Sequence, residues 1–314
     1  MKNVVALQKA EVKNTTVVMD ISALIEAKAV TGAQIAKEIS VSPATLSQIM
    51  KGTYAADPSN VIDKLEKWLR MREQRQSTPN VNPGFVMTET AKQITADLAY
   101  AQYSKSLAVI FGASGVSKTE AALEYQRSNN NVWMITGSPS VSGLTECLYE
   151  LAMELGLDQA PRRKGPLSRV IRQRLHNSEG LVIVDEADHL DYNTLEELRI
   201  LQEKANVGMV LIGNNRVYTQ LTGGRRDEDF ARLFSRIAKK RGIHKAKKSD
   251  VKAIAQAWSV HGEAEQALMQ QISERPGGIR LLTKTLELSV MYANGKAMDT
   301  TLLRKAFAEL TANE

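Results

Sequence analysis

Between residues 107 and 213 the apolar positions fall in short unbroken runs. Leu107–Phe111, Val132–Thr136, Leu181–Asp185 and Val207–Gly213 each read as a strand. A continuous Val/Ile/Leu run marks a strand buried on both faces, as in a parallel sheet covered by helices. The stretches between these runs carry apolar residues at helical spacing, so the expected core is an alternating α/β sheet. Beyond about residue 243 the strands stop, and amphipathic helices are expected at roughly 249–258, 263–274, 278–293 and 299–311, an all-α cap.

Residues 20–76 have a different rhythm. Thr31-Gly32-Ala33-Gln34 is a capping-box-like helix start, with Ile35, Ala36 and Ile39 as a short apolar face. Ser40-Val41 turns the chain. Ser42 as N-cap and Pro43 at the first helical position then open a second helix, which runs through Met50 and closes at Gly52. Two short helices joined this way, with Val41, Leu46 and Ile49 turned inward, form a helix-turn-helix pattern similar to small phage-repressor DNA-binding domains. Residues 43–50 would be the recognition helix, exposing Thr45, Ser47 and Gln48, with Lys51 just beyond. A helical hairpin that only packs is the alternative. Asp57-Pro58 opens a longer helix to about Gln76, and Ser77–Gly84, with two prolines and a glycine, reads as a linker. The expected domains are therefore 1–76 (helix-turn-helix), 77–88 (linker), 89–243 (α/β core) and 244–314 (helical lid).

Composition narrows the class. The chain has 314 residues, 43% of them hydrophobic, enough for about two domains with substantial cores. No apolar run approaches the roughly 20 residues that span a bilayer. The polar start, broken by lysines, does not read as a secretory signal, and the single cysteine, Cys147, suits a reducing cytosol. Cys147 lies in an apolar helical run and reads as core. The net charge of +6 is modest, but it is concentrated in two runs. One is Arg162-Arg163-Lys164, continued by Arg169, Arg172 and Arg174; the other is Lys239-Lys240-Arg241, with Lys245, Lys247 and Lys248. Either alone could be a solvated face. Two of them beside a phosphate site favour a polyanion such as DNA.

That phosphate site is read from Gly112, Ala113, Ser114, Gly115, Val116, Ser117, Lys118 and Thr119, between a strand and a helix-like run. Backbone N–H groups and the positive helix end would cradle phosphates, Lys118 would reach the β/γ oxygens, and the Thr119 hydroxyl would ligate Mg²⁺. Ser117 stands where the pattern asks for glycine. A serine there costs on the order of 1 kcal/mol if its φ must be positive and little otherwise. An ordinary strand-to-helix turn is the bland reading. The strand Leu181–Asp185 weakens it, because it ends in Asp185-Glu186, where an open α/β sheet collects ligands. Asp185 would hold Mg²⁺ and Glu186 would polarise the attacking water. Asp188 and His189 read as capping or packing the following helix.

These motifs resemble the AAA+ ATPases. By that resemblance Asn214, at a strand tip, takes the sensor-one position between γ-phosphate and water, although a turn asparagine looks the same. Ser235-Arg236 is similar to the arginine finger that a neighbouring subunit supplies, with Arg232 the second choice, and Arg280 takes the sensor-two position. Longer strings are more specific. Asn129–Thr136, Ala160–Arg169, Asp185–Leu190 and Phe230–Ile237 resemble the Mu B family of phage target-selection ATPases, and the likeness spans nearly the whole chain. It implies an AAA+ P-loop parallel-sheet core between a helix-turn-helix domain and an all-α lid. It also implies ATP and Mg²⁺ as cofactor set, and a helical self-assembly on double-stranded DNA with little sequence preference. Delivery of that DNA to a DDE transposase would follow, with transposase-stimulated ATP hydrolysis releasing it, in the host bacterial cytoplasm and away from membranes. Arg162, Arg163 and Lys164 would line the DNA path. Two other readings share the motifs: an AAA+ helicase loader or replication initiator, and a DNA-binding regulator with a hydrolysis-defective site.

Overall fold

The computed structural model describes residues 15–77, 82–222 and 236–312. The chain divides into two compact units, Met1–Asn80 and Val81–Glu314. In the first, α1 (15–26), α2 (Gly32–Glu38), α3 (Pro43–Met50) and α4 (Ser59–Ser77) pack around Ile21, Ile35, Leu46, Ile49 and Leu65. Both short helices start as their sequences dictate. Thr31 Oγ1 accepts from Gln34 N at 3.2 Å, and Ser42 Oγ accepts from Thr45 N at 3.0 Å, with Pro43 in the first turn. The Trp68 indole donates to Glu38 Oε2 at 2.6 Å, fastening α4 to α2.

The second unit is a five-stranded parallel sheet in the order β2-β3-β4-β1-β5. Its strands are β1 (Leu107–Gly112), β2 (Val132–Thr136), β3 (Leu181–Asp185), β4 (Gly208–Gly213) and β5 (Ile237–Ile243). Helices α5 (Glu89–Ser104) and α6 (Lys118–Ser128) cover one face, packing Ile94, Leu98 and Ala121 on Ile110, Ile183 and Val210. Helices α7 (Leu144–Glu154), α8 (Lys164–Leu175) and α9 (Tyr192–Ala205) cover the other, with Leu148, Leu151, Ile171 and Leu198 on Val109, Val182 and Leu211. Cys147 is fully buried in this second layer, and burial pushes its thiol up to about 12, so it stays an unreactive core group. A short α10 (Asn215–Thr222) follows β4. Among the described residues no helix is long and apolar enough to cross a membrane.

Strand β5 corrects the sequence reading twice: the apolar runs give no strand there, and its Lys239-Lys240-Arg241 segment was expected to face a polyanion. A β-bulge explains the first point. Leu107 pairs with Ile237 but Ala108 pairs with Lys239, so Ala238 is the extra residue. The bulge turns Ile237 into the α7–α9 layer and Ile243 into the α5 layer, and no simple alternation survives in the sequence. It also aims Lys239 and Arg241 at Asp97 of α5, a carboxylate only 1% exposed. Lys239 Nζ lies 2.7 Å from Asp97 Oδ1, while Arg241 grips both oxygens through Nε and Nη2. Two of the three charges are therefore paired with a buried carboxylate from partly exposed positions.

Four helices close the unit: α11 (Lys248–Ala257), α12 (Glu263–Ser273), α13 (Gly278–Ala293) and α14 (Thr300–Thr311). They bury Val251, Ile254, Trp258, Ile272, Leu282, Leu286 and Leu303 among themselves. One fully buried carboxylate joins this lid to the sheet layer. Asp250 accepts from Thr90 N (2.9 Å) and Thr90 Oγ1 (2.6 Å) in the first turn of α5, and from Lys247 N (3.0 Å) ahead of α11. A single side chain thus caps two helices, one from each layer.

Candidate active site

The loop between β1 and α6 carries two glycines for different steric reasons. A Cβ on Gly112, at φ +138°, would lie 1.9 Å from the Ile243 carbonyl oxygen of β5. A Cβ on Gly115, at φ +76°, would lie 1.9 Å from the Gly277 carbonyl oxygen at the start of α13. The lid thus rests directly on this loop, and Ile279 N and Arg280 N both donate to Gly115 O, at 2.8 and 3.3 Å. Ser117 adopts φ +65°, the left-handed conformation, so the position does ask for what glycine supplies freely. The strain is on the order of 1 kcal/mol.

Lys118 and Thr119 open α6. The Lys118 ammonium donates to Ala113 O at 2.7 Å and Gly112 O at 3.1 Å, curling over the loop. Burial pushes it below its ordinary value, while Asp185, Glu186 and Asp188 pull the other way. The Thr119 hydroxyl donates to Asp185 Oδ2 at 2.7 Å, which brings two hard oxygens side by side at the end of β3. That donor pair suits Mg²⁺. Glu186 follows at φ +50°, outside the strand's extended conformation.

These groups line one cavity of about 540 Å³ between the carboxyl ends of β1, β3 and β4 and the lid. Ser114, Gly115, Ser117, Lys118, Thr119, Asp185, Glu186, Asn214 and Arg280 all border it. Of the expected nucleotide-site residues, Gly112, Ala113 and Val116 are not on its lining; Ala113 N donates to Ile243 O at 2.8 Å, and Val116 is packed in the core. The sequence reading missed the opposite wall, where Phe85 and Val86 from the entering segment face Ile254, Trp258 and Ile279 of the lid. No local motif marks that wall, because it is assembled from segments roughly 170 residues apart.

Arg236 lies elsewhere. It precedes Ile237, which pairs with Leu107 at the far end of β1 from the phosphate loop, roughly 17 Å away for a strand of that length. It is exposed and sits 3.6 Å from Glu203 of α9. It cannot serve its own chain's cavity. Arg232 and the rest of Phe230–Ser235 fall outside the described residues.

Arg162, Arg163 and Lys164 are exposed at the N-terminus of α8, on the α7–α8 connection. No acidic residue stands in the first turn of α8, and the Arg162 guanidinium lies 4.1 Å above the Tyr149 ring. In the first unit, Gln48 and Lys51 are exposed; the Thr45 hydroxyl is paired with Ser42 Oγ at 2.8 Å.

Comparison with known proteins adds relatives and a fold neighbour. Residues 101–221 match a family described as an AAA domain, and residues 235–310 match the Mu B transposition protein, C terminal, family. The chain is 51% identical to the ATP-dependent target DNA activator B of Escherichia phage Mu over 289 residues, 91% of this chain and 92% of that one. It is 46% identical to the Mu-like prophage FluMu DNA transposition protein B of Haemophilus influenzae over 258 residues, 82% of this chain and 90% of that one. Among solved structures, the Aeropyrum pernix ORC2 protein, in its ADPNP–ADP complexes, superposes with a TM-score of 0.53 at 16% identity, covering 72% of this chain and 68% of that one.

Proposed function

The chain belongs to the family of the ATP-dependent target DNA activator B proteins and is an ATPase of the AAA class, and from that premise we propose that it binds DNA in an ATP-dependent way and activates it as a target for transposition. The observation that carries the reading is the convergence of Lys118, Thr119, Asp185, Glu186 and Arg280 on one cavity between sheet and lid. Lys118 exchanges its loop carbonyls for the β/γ-phosphate oxygens of ATP. Thr119 and Asp185 would hold Mg²⁺, which would supply neutralising charge beside those phosphates. Glu186 accepts the proton of the attacking water. Arg280 sits on the first turn of a lid helix whose backbone already touches Gly115, so lid position and phosphate contact are set by one element.

Arg236 acts in a second copy's site, stabilising charge on the transferred phosphoryl. Its place at the opposite end of the sheet from its own phosphate loop supports this division. Copies linked in that manner form a helical filament, and many weak DNA contacts then act together. Arg162, Arg163 and Lys164 make those contacts to phosphates, which give affinity without sequence readout. Thr45, Gln48 and Lys51 of the helix-turn-helix add contacts from domain 1–76. The filament presents double-stranded DNA to a DDE transposase, and transposase-stimulated hydrolysis releases it. On this reading the protein acts in the host bacterial cytoplasm.

The positive φ of Ser117 is compatible with two variants of this reading, a normal ATPase and an ATP binder with slow turnover. Sedimentation of the protein with mixed-sequence duplex DNA in ATP, ADP and no nucleotide, beside Lys118→Ala, tests the whole. ATP-dependent co-sedimentation that Lys118→Ala abolishes is the expected result. Equal binding in all three conditions would leave a DNA-binding regulator with a vestigial nucleotide site.

A further inference from the structure

Asp188 lies one short turn beyond Asp185, in the 3₁₀ segment Ala187–His189, and is 5% exposed. Both its oxygens reach Asn214. Oδ2 accepts from the Asn214 side-chain Nδ2 at 2.6 Å, and Oδ1 accepts from the Asn214 backbone N at 3.2 Å. The other end of the same amide is also engaged, because Asn214 Oδ1 accepts from Arg216 N at 2.7 Å, at the start of α10. The chemistry of the two partners leaves one orientation. A carboxylate can only accept and a backbone N–H can only donate, so the NH₂ group must face Asp188 and the carbonyl must face Arg216. A flipped amide would set oxygen against oxygen and N–H against N–H. Gly213 makes room for the arrangement, since a Cβ there would stand 2.6 Å from Asp188 Oδ1.

The Nδ2 group carries a second hydrogen, and Asn214 borders the cavity with Asp185 and Glu186. We infer that Asp188 is a positioning residue, which holds the Asn214 amide so that an N–H donor, never its carbonyl, is offered to the γ-phosphoryl oxygen or the attacking water. The inference rests on the reading of Asn214 as the polar group between phosphate and water. A donor that needs no reorientation as charge develops contributes more than one that must be recruited. The aspartate thus ties the turn after β3 to the tip of β4, while Asn214 Oδ1 ties that tip to the start of α10.

A double-mutant cycle tests it, using ATP hydrolysis by the full chain with mixed-sequence duplex DNA, beside the affinity of a fluorescent ATP analogue. Asn214→Ala is expected to lower kcat by about 100-fold, the usual cost of losing one such donor. Asp188→Asn keeps the shape but allows the amide to flip, and is expected to lower kcat by about 10-fold or more. Analogue affinity should stay within about twofold in both, and the double variant should be no slower than Asn214→Ala alone. Partial recovery of kcat in Asp188→Glu would add support. If Asn214→Ala is slow while Asp188→Asn is not, or if the two losses multiply, the positioning role is wrong and the Asn214 reading stands. If Asn214→Ala turns over like the wild type, the Asn214 reading falls and the positioning role with it. Loss of analogue affinity in Asp188→Asn would mark a purely structural aspartate and also overturn the inference.

Discussion

Arg162-Arg163-Lys164 and Lys239-Lys240-Arg241 carry the same formal charge over the same length, yet they meet opposite surroundings. The second triplet lies on a bulged edge strand, where a buried carboxylate takes up two of its three cations. The first is exposed at a helix N-terminus, without an acidic residue in the first turn, where the helix dipole disfavours positive charge. A cation placed there is costly to the fold by itself and is suited to an arriving anion. A charge run therefore carries no function until its partners are known. Each triplet can be tested by removing what distinguishes it.

The largest effect is expected at Asp97. Asp97→Ala removes the buried partner of Lys239 and Arg241, whose side chains are 37% and 27% exposed and can turn to water, so the cost is expected at about 1–3 kcal/mol, below that of breaking a fully buried pair. Chemical denaturation should show that loss. A loss under about 1 kcal/mol would mean that water already screens the pair. Acid offers a second view of the same group. Burial raises the Asp97 carboxyl, but hydrogen bonds from Arg241 and Lys239 outweigh it and hold the group below the ordinary aspartate range. A depressed carboxylate contributes stability above its unfolded pKa and loses it as pH falls through the folded one. The stability advantage of wild type over Asp97→Asn should thus be level near neutrality and shrink below about pH 4. An advantage unchanged down to pH 2 would contradict this.

The contrast also separates what was legible in the sequence from what was not. Strands β1, β3 and β4 were readable because each is an almost unbroken apolar run buried on both faces, and β2 because its first four residues are apolar and mostly buried. Strand β5 was not, since its middle is charged and the bulge at Ala238 reverses its facing just after the first residue. At the site, Lys118, Thr119, Asp185 and Glu186 were legible from their place at a strand end or helix start. Asp188 was legible as a residue but not as a partner of Asn214, because 26 residues separate them and only the sheet brings them together. Val86, Ile254 and Trp258 carried no signal, being apolar residues on a wall built from distant segments.

The next effect in size concerns the exposed triplet. Replacing Arg162, Arg163 and Lys164 together by alanine should change stability by no more than about 1 kcal/mol, the positions being exposed and the contact of Arg162 with the Tyr149 ring small. DNA affinity in ATP should fall. Because phosphate contacts release counterions, the slope of log K against log salt should drop by about 3, one for each contact. Fluorescence anisotropy across a salt series measures both. Unchanged slope with reduced stability would reverse the assignment of the two triplets, making this one structural as well.

The smallest predicted effect is the most particular to the exposed triplet. Arg162 lies with its guanidinium 4.1 Å over the Tyr149 ring, and Tyr149 packs against the α7–α9 layer. The ring holds the arginine in place without neutralising it, whereas Asp97 holds its arginine by cancelling the charge. Fixing a long side chain in advance lowers the entropy lost when it meets a phosphate. Tyr149→Leu keeps the packing but removes the ring face, and should weaken ATP-dependent DNA binding by about 0.5–1 kcal/mol. The salt slope should not change, because no charge has been lost. Weaker binding at constant slope would separate positioning from charge within a single arginine. Unchanged binding would reduce the ring to packing, and a lower slope would show that Arg162 reaches phosphate only when Tyr149 supports it.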